Sequence, residues 1–449
     1  MSQTEPLPLP PGRFGPPWLG ESLSLVRSNH GFYEDRAAAH GPVFKTRLFG
    51  NDFVVFSGHE AFHTFATDPR IRRGDADPVT AEQMFRDSLA LTDGDEHHVR
   101  KGIMVHAVAF RSSIAAYLPR MQRLMANVID DWRSRGSATV RPDLQLFAAR
   151  LAGSLYLGDE SEETAVELNG ILADMRAAFL SIPAALPGTR YRRAIRARNR
   201  LVDIVDDAIA RHQDGQYNDV VSRMLASAAK EDVPVESLRG DIRHLVFASQ
   251  GGCFAPLTLV TMALAQHPGI VRRARAEVQQ VAAEGPITME ILDGLGYLEQ
   301  ISKEVRRYFA LNSATFFGRV TEPMEVGGYL IPAGWGAAGG IHITMRNPDV
   351  FPDPDRFDPD RFQPEREAAL PPGSYVPHGG GHGSPHSCPA ESMVTVLIKL
   401  YLALLLRDTE WSIPEQDLEL TNELFPLPAS GLTAQFRQLK RSSSSITSG

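Results

Sequence analysis

The sequence predicts a mainly α fold, one helix-rich domain with a small β-rich region. Three features predict it. From 112 to 230, amphipathic helical segments alternate with turns at Gly136, Gly158 and Pro187-Gly188. Two apolar runs, Leu245–Pro268 and Ser392–Leu406, have helical length. Strand-like runs stand at Val43–Phe49 and Phe53–Phe56, around a turn at Gly50-Asn51-Asp52.

Composition narrows the class. A hydrophobic content of 43% and a charged content of 22% are ordinary for a globular protein. A net charge of −8 disfavours a nucleic-acid surface. Two cysteines, Cys253 and Cys388, give no disulfide framework, which fits a reducing cytoplasm. No basic segment followed by an apolar core opens the chain, and no uninterrupted apolar stretch looks long enough to span a bilayer. The 392–406 run is short and carries Lys399, so a buried helix is expected and no membrane anchor.

Taken in order, residues 1–20 are rich in Pro and Gly and should be extended, ahead of a catalytic domain over 21–440. His59–Thr67 predicts a short helix, and 70–93, rich in Asp and Arg, an irregular stretch. Asp93 or Asp95 can cap the helix that follows. On it His97 and Lys101 share a face, with Arg100 adjacent; the cluster reads as a solvated helix start or as an anion clamp. In the Leu245–Pro268 helix, Gly251, Gly252 and Pro256 predict a local breach, because Pro256 has no N–H for the Gly252 carbonyl. Gln250 and Cys253 are the nearest polar side chains. Tyr297–Ala310 predicts a helix bearing Glu304 and Arg307, and Phe351–Phe362 a proline-paced extended segment bearing Arg361. The tail 441–449 is low in complexity and should be disordered.

The most informative stretch runs from Tyr375 to Cys388, a loop of glycines and histidines ending in one cysteine before the 392–406 helix. Backbone N–H groups and the helix dipole stabilise a thiolate at such a place, and glycines admit a flat group. A lone thiolate so presented suits an axial ligand to haem iron; the alternative is a buried free cysteine.

Glu304-Val-Arg-Arg307, the Phe351–Phe362 segment and the Cys388 loop, in that order, resemble the cytochrome P450 superfamily. The resemblance runs from Leu7 to about Gln438; Leu7–Glu21, Gly41–Gly50 and Leu264–Pro268 are similar to the bacterial branch related to retinoic-acid hydroxylases. It implies the cytochrome P450 fold and haem b with Cys388 as the metal's thiolate ligand. It also implies that His97, Lys101, Arg100, Arg319 and His386 bind the cofactor through its propionates. Glu304, Arg307 and Arg361 would form a buried charge network behind the ligand loop. Phe179, Phe316, Phe317 and Phe425 would line the substrate pocket, under a roof at Phe179, Leu180 and Ile182–Leu186.

The chain departs from the family where the chemistry occurs. The central helix usually carries an acid followed by Thr, a pair that relays protons to bound dioxygen. Gly251 and Gly252 stand there instead, which leaves Gln250 and Cys253 as the candidate catalytic side chains beside them. The usual Gly-x-Arg-x-Cys-x-Gly loop has His386 at the Arg position, Pro389-Ala390 after the cysteine and about two extra residues. Similar loops occur in the fatty-acid peroxygenase branch, whose Arg-Pro pair holds the substrate carboxylate, yet no Arg lies near Pro256 in sequence.

Three functions follow. One is a monooxygenase fed by a ferredoxin or flavoprotein reductase. The second is a haem-thiolate enzyme driven by peroxide, or by an O–O or N–O bond in its substrate, for rearrangement, cyclisation or oxygenation. The third is a non-catalytic haem or ligand-binding module. The missing acid and alcohol favour the second. A monomer acting on a small, hydrophobic metabolite is expected in each case.

Overall fold

The computed structural model describes residues 7–74, 76, 79–179, 181, 183–380 and 384–439. Leu180, Ile182, Gly381–Gly383 and the 441–449 tail lie outside them. Among the helices that build the main core are α1 Gly94–Val108, α2 Arg111–Arg135, α3 Val140–Ala152, α4 Glu162–Phe179, α5 Arg190–His212, α6 Val235–Gln266, α7 Gly296–Phe309 and α8 Glu391–Asp408. Among the described residues there are ten short strands: β1 Val43–Leu48, β2 Asn51–Phe56, β3 Ile71–Arg72, β4 Ser137–Thr139, β5 Gly318–Val320, β6 Met324–Val326, β7 Tyr329–Ile331, β8 Gly336–Gly339, β9 Thr409–Ser412 and β10 Thr433–Gln438. They form a five-stranded sheet ordered β1-β2-β8-β5-β3, a three-stranded sheet β4-β10-β9 and the pair β6-β7.

α6 is the axis of the molecule. It packs against α3, α5, α7 and α8, and its residues Phe254–Leu264 are all buried. At 1.5 Å per residue its 32 residues span about 48 Å. The breach expected at Gly251, Gly252 and Pro256 does not occur; the helix runs through all three. Burial of Gly251 and of Phe254–Leu264 outweighs the propensity cost, which is the usual resolution when tertiary contacts oppose local preference. The same helix corrects a second expectation. By length and composition it could cross a membrane, but most of its apolar stretch is buried inside the protein.

Other differences are local. The β1–β2 turn falls at Phe49 and Gly50, with φ of 52° and 81°, one residue earlier than expected. Positive φ at both central positions is what a two-residue type I′ hairpin demands. The 70–93 stretch is not irregular throughout: it contains β3, a helix over Val79–Phe85 and a 3₁₀ turn at Leu89–Leu91. Buried Met84 and Phe85 and a hydrogen bond from Leu89 N–H to Asp241 Oδ1 (2.6 Å) order it, none of which shows as local periodicity. Residues 7–20 are extended but not separate, since Lys45 N–H donates to Pro11 O at 2.8 Å and Gly20 bridges Leu48.

Candidate active site

Cys388 lies in the turn just before α8. Its backbone N–H donates to His378 O at 2.9 Å, which folds the loop back on itself. The His378 ring accepts from Arg306 Nη1 at 2.9 Å, and burial pushes its pKa down to about 3. Burial pushes the Cys388 thiol up, against the Ala390 N–H on the sulfur and the charge of Lys101. The helix-dipole argument therefore gave the wrong net direction for the free thiol, because desolvation outweighs it. Cys253, on α6, is pushed up to about 12 by burial alone. Of the two sulfurs, Cys388 has the donor and the cation.

Beside this loop, positive groups are crowded together. The His97 and His386 rings lie 4.2 Å apart, and Lys101 Nζ donates to Ser387 O. His386 Nε2 is 3.2 Å from Asp93 Oδ1. Asp93 also accepts from the N–H groups of Arg73 (2.9 Å) and Gly74 (3.0 Å); it precedes α1 without capping it. Burial and the neighbouring His386 and Lys101 push His97 down to about 4. His386 and Lys101 are depressed too, both chiefly by burial. The Asp93 carboxyl falls to about 2 despite its burial, through His386 and the backbone donors. Both imidazoles are thus neutral at pH 7 and can donate from one ring nitrogen, while Lys101 is the cation beside them.

Arg73 belongs to this cluster and was not legible in the sequence. It is 3% exposed, donates to Phe316 O at 2.8 Å and arrives through the pairing of β3 with β5. Arg100 goes elsewhere: its guanidinium binds Asp241 on α6 at 2.8 and 2.9 Å and also Glu96. Arg319, on β5, donates to Gly334 O at 3.1 Å. The structure thus groups His97, Lys101, His386 and Cys388, and turns Arg100 towards a structural ion pair.

Across α6 the two glycines face different surroundings. A Cβ on Gly251 would lie 2.2 Å from the Phe425 ring, whereas one on Gly252 would meet nothing within 4 Å. Gln250 is turned away: it accepts from Arg176 on α4 and donates to Asn169 Oδ1 at 2.8 Å. The Arg176 guanidinium sits 5.4 Å from the Phe254 ring, and burial pushes its pKa down to about 10. An arginine therefore does approach this stretch of α6, from another helix. The Gly251→Ala variant should lose about 1–3 kcal/mol of stability, since the Phe425 ring must move. Thermal unfolding would check this, and Phe425→Leu in the same chain should restore part of the loss.

Above the open side, Phe85 gathers Phe179 (5.6 Å), Phe247 (5.2 Å), Phe316 (5.5 Å) and His244 (4.6 Å) into one aromatic cluster. Phe179 and Phe316 thus come together. Phe317 does not join them; its ring packs on Phe53 at 4.9 Å, in the core beneath the five-stranded sheet. Behind the cysteine loop, Glu304 binds Arg307 through both oxygens, at 2.7 and 2.8 Å, with Arg361 Nε at 3.6 Å.

A sequence profile of the cytochrome P450 family matches residues 10–436. The chain belongs to the cytochrome P450 family. Among relatives, this P450 is 28% identical over 440 residues to the cytochrome P450 120 protein of Synechocystis, covering 96% of this chain and 98% of the other. It is 28% identical to abscisic acid 8'-hydroxylase 1 of Oryza sativa, covering 96% and 91%. A solved structure, retinoic acid bound cyanobacterial CYP120A1, superposes with a TM-score of 0.89 at 28% identity, covering 96% of this P450 and 100% of that chain. The OleT cytochrome P450 in complex with arachidonic acid shares the fold, at 18% identity and a TM-score of 0.79, covering 97% and 100%.

The family uses haem with cysteine thiolate ligation. The residues here fit that group. Lys101 and Arg73, with the imidazoles of His97 and His386, are a donor set that suits a porphyrin's two carboxylates. Cys388, with the Ala390 N–H on its sulfur and Lys101 nearby, would be the haem's thiolate ligand.

Proposed function

We propose that this P450 is a haem-thiolate enzyme for a small, largely apolar metabolite. Its oxidant is peroxide, or an O–O or N–O bond that the substrate itself brings. The observation that carries the proposal is the Phe425 ring, which fills the space where an acid at position 251 would stand. Nothing on that stretch of α6 takes over the acid's work. Ser249 Oγ donates to Val246 O at 3.0 Å, Thr258 to Phe254 O at 2.8 Å and Thr261 to Leu257 O at 2.7 Å. Gln250 is committed to Arg176 and Asn169. Proton delivery to bound dioxygen would thus need a group from elsewhere, whereas a preformed O–O or N–O bond lowers that need.

In this reading the chain's residues divide the work. When haem is bound, Cys388 would supply its sulfur ligand, and His97, Lys101, His386 and Arg73 would hold its carboxylates. Gly252 leaves open space on α6, and Phe179, Phe316 and Phe425 would shape an apolar pocket. Haem, when bound, supplies the bond cleavage and atom transfer. In a reducing cytoplasm neither cysteine would be drawn into a disulfide.

Turnover of candidate apolar substrates decides the oxidant. Product is expected with hydrogen peroxide, or with a peroxide-bearing substrate, under argon and without reductant. Product only with NADPH, redox proteins and air would overturn the proposal. It would establish the second reading, a monooxygenase fed by a ferredoxin or flavoprotein, which the hydroxylase among its relatives favours.

A further inference from the structure

His244, Phe247 and Gly251 fall on one stripe of α6, at i, i+3 and i+7, with Gly252 beside it. The His244 ring lies 4.6 Å from Phe85 and 5.9 Å from Phe316, inside the aromatic cluster. Protein surrounds this imidazole, and burial, with Arg243 and Lys101 nearby, pushes its pKa down to about 4; at neutral pH it is uncharged. The residue nonetheless keeps part of its surface accessible, beside the rings of Phe85 and Phe316.

Among the described residues, neither ring nitrogen of His244 has a hydrogen-bond partner. Other enclosed histidines do. His30 pairs with Ala310 O (2.9 Å), His212 with Asp219 (2.7 Å), His342 with Glu34 (2.6 Å) and His378 with Arg306 (2.9 Å). His97 shares the condition of His244, and it faces the place assigned above to the cofactor carboxylates. Phenylalanine would fill the same aromatic niche, so packing alone does not call for the two accessible ring nitrogens. The nitrogens therefore point to a partner outside the protein.

We propose that His244 is the polar anchor of the substrate pocket. Its imidazole hydrogen-bonds a hydroxyl or carbonyl oxygen at one end of an otherwise apolar molecule, while the other end reaches the open space at Gly252. Eight residues of helix separate the two positions, about 12 Å along the axis. Less the length of one hydrogen bond, that leaves a substrate about 9 Å from its oxygen to its reacting atom. The proposal rests on the apolar pocket of the reading above but not on which oxidant is used.

The test is equilibrium binding to the haem-loaded protein, by calorimetry, with no oxidant present. The probes are 4-hydroxybiphenyl and 4-methylbiphenyl, which differ in one polar group. Wild type should bind the hydroxyl compound more tightly, on the order of tenfold. His244→Phe should abolish that preference and leave 4-methylbiphenyl within about twofold, and His244→Gln, which keeps a donor and an acceptor, should restore part of it. Circular dichroism confirms that each variant is folded. A preference surviving in His244→Phe, or an equal loss for both probes, overturns the anchor alone. Failure of wild type to bind either probe overturns the apolar pocket and the anchor with it.

Discussion

The Cys388→Ser variant is expected to fold and to lose its chemistry. Its reduced carbon monoxide complex should no longer show the red-shifted Soret band of a thiolate-ligated haem. Turnover should fall by more than the roughly 10–100-fold that losing an outer partner of a metal site costs, because the ligand itself has gone. The reason lies in the surroundings of the sulfur. Burial disfavours a free thiolate here; one backbone N–H and Lys101 oppose that without reversing it. Iron is the remaining partner that can hold the sulfur deprotonated. Serine has a far more basic oxygen and cannot take its place. The loop's shape should survive, since the Cys388 N–H to His378 O bond uses only backbone. Cys253→Ser is the control: it should leave the spectrum unchanged, since Cys253 lies on α6. Equal Soret and sulfur-ligand signatures in wild type and Cys388→Ser would refute the ligand assignment.

How far the sequence could be read depended on the range of the interaction. Helices with strong periodicity or clear ends were legible: His59–Thr67 holds to the residue, and α7 and α8 within two residues of expectation. The family motifs gave the Glu304–Arg307 pair, because spacing along one chain encodes it. Contacts made across the fold were not legible. Arg73 reaches the cation cluster only through strand pairing, and Arg176 reaches α6 only because α4 lies over it. Arg100, next to Lys101 in sequence, points to the far side of α1 because a buried carboxylate on α6 attracts it. The fate of Gly251 shows the same limit: sequence showed an absent side chain, and the fold showed an aromatic ring in its space. Local patterns say what is missing; packing says what replaces it.

Glu304→Gln should be the most destabilising single change behind the loop. Both Glu304 and Arg307 have fully buried side chains, and the carboxylate holds three partners at once: Arg307, Arg361 and the Asp358 N–H at 2.8 Å. Burial pushes the Glu304 carboxyl up, but the Arg307 guanidinium opposes that. Removing the negative charge strands the Arg307 cation among carbonyls, Met345 O at 3.1 Å and Pro354 O at 3.0 Å. The cost should be roughly 3–5 kcal/mol, a large share of what holds a domain folded. Arg361→Met should cost less, because its Nε contact is 3.6 Å and its other bonds go to exposed carbonyls. Chemical denaturation midpoints would measure both. A double replacement, Glu304→Met with Arg307→Leu, separates charge from shape. It should recover much of the stability lost by Glu304→Gln, since no buried charge is left unpaired. Haem retention should not recover with it, because the bonds that tie α7 to residues 345–358 go with Arg307. If denaturation resistance and haem content returned together, the network would be serving as a charge pair alone, and its task of shaping the chain behind Cys388 would be disproved.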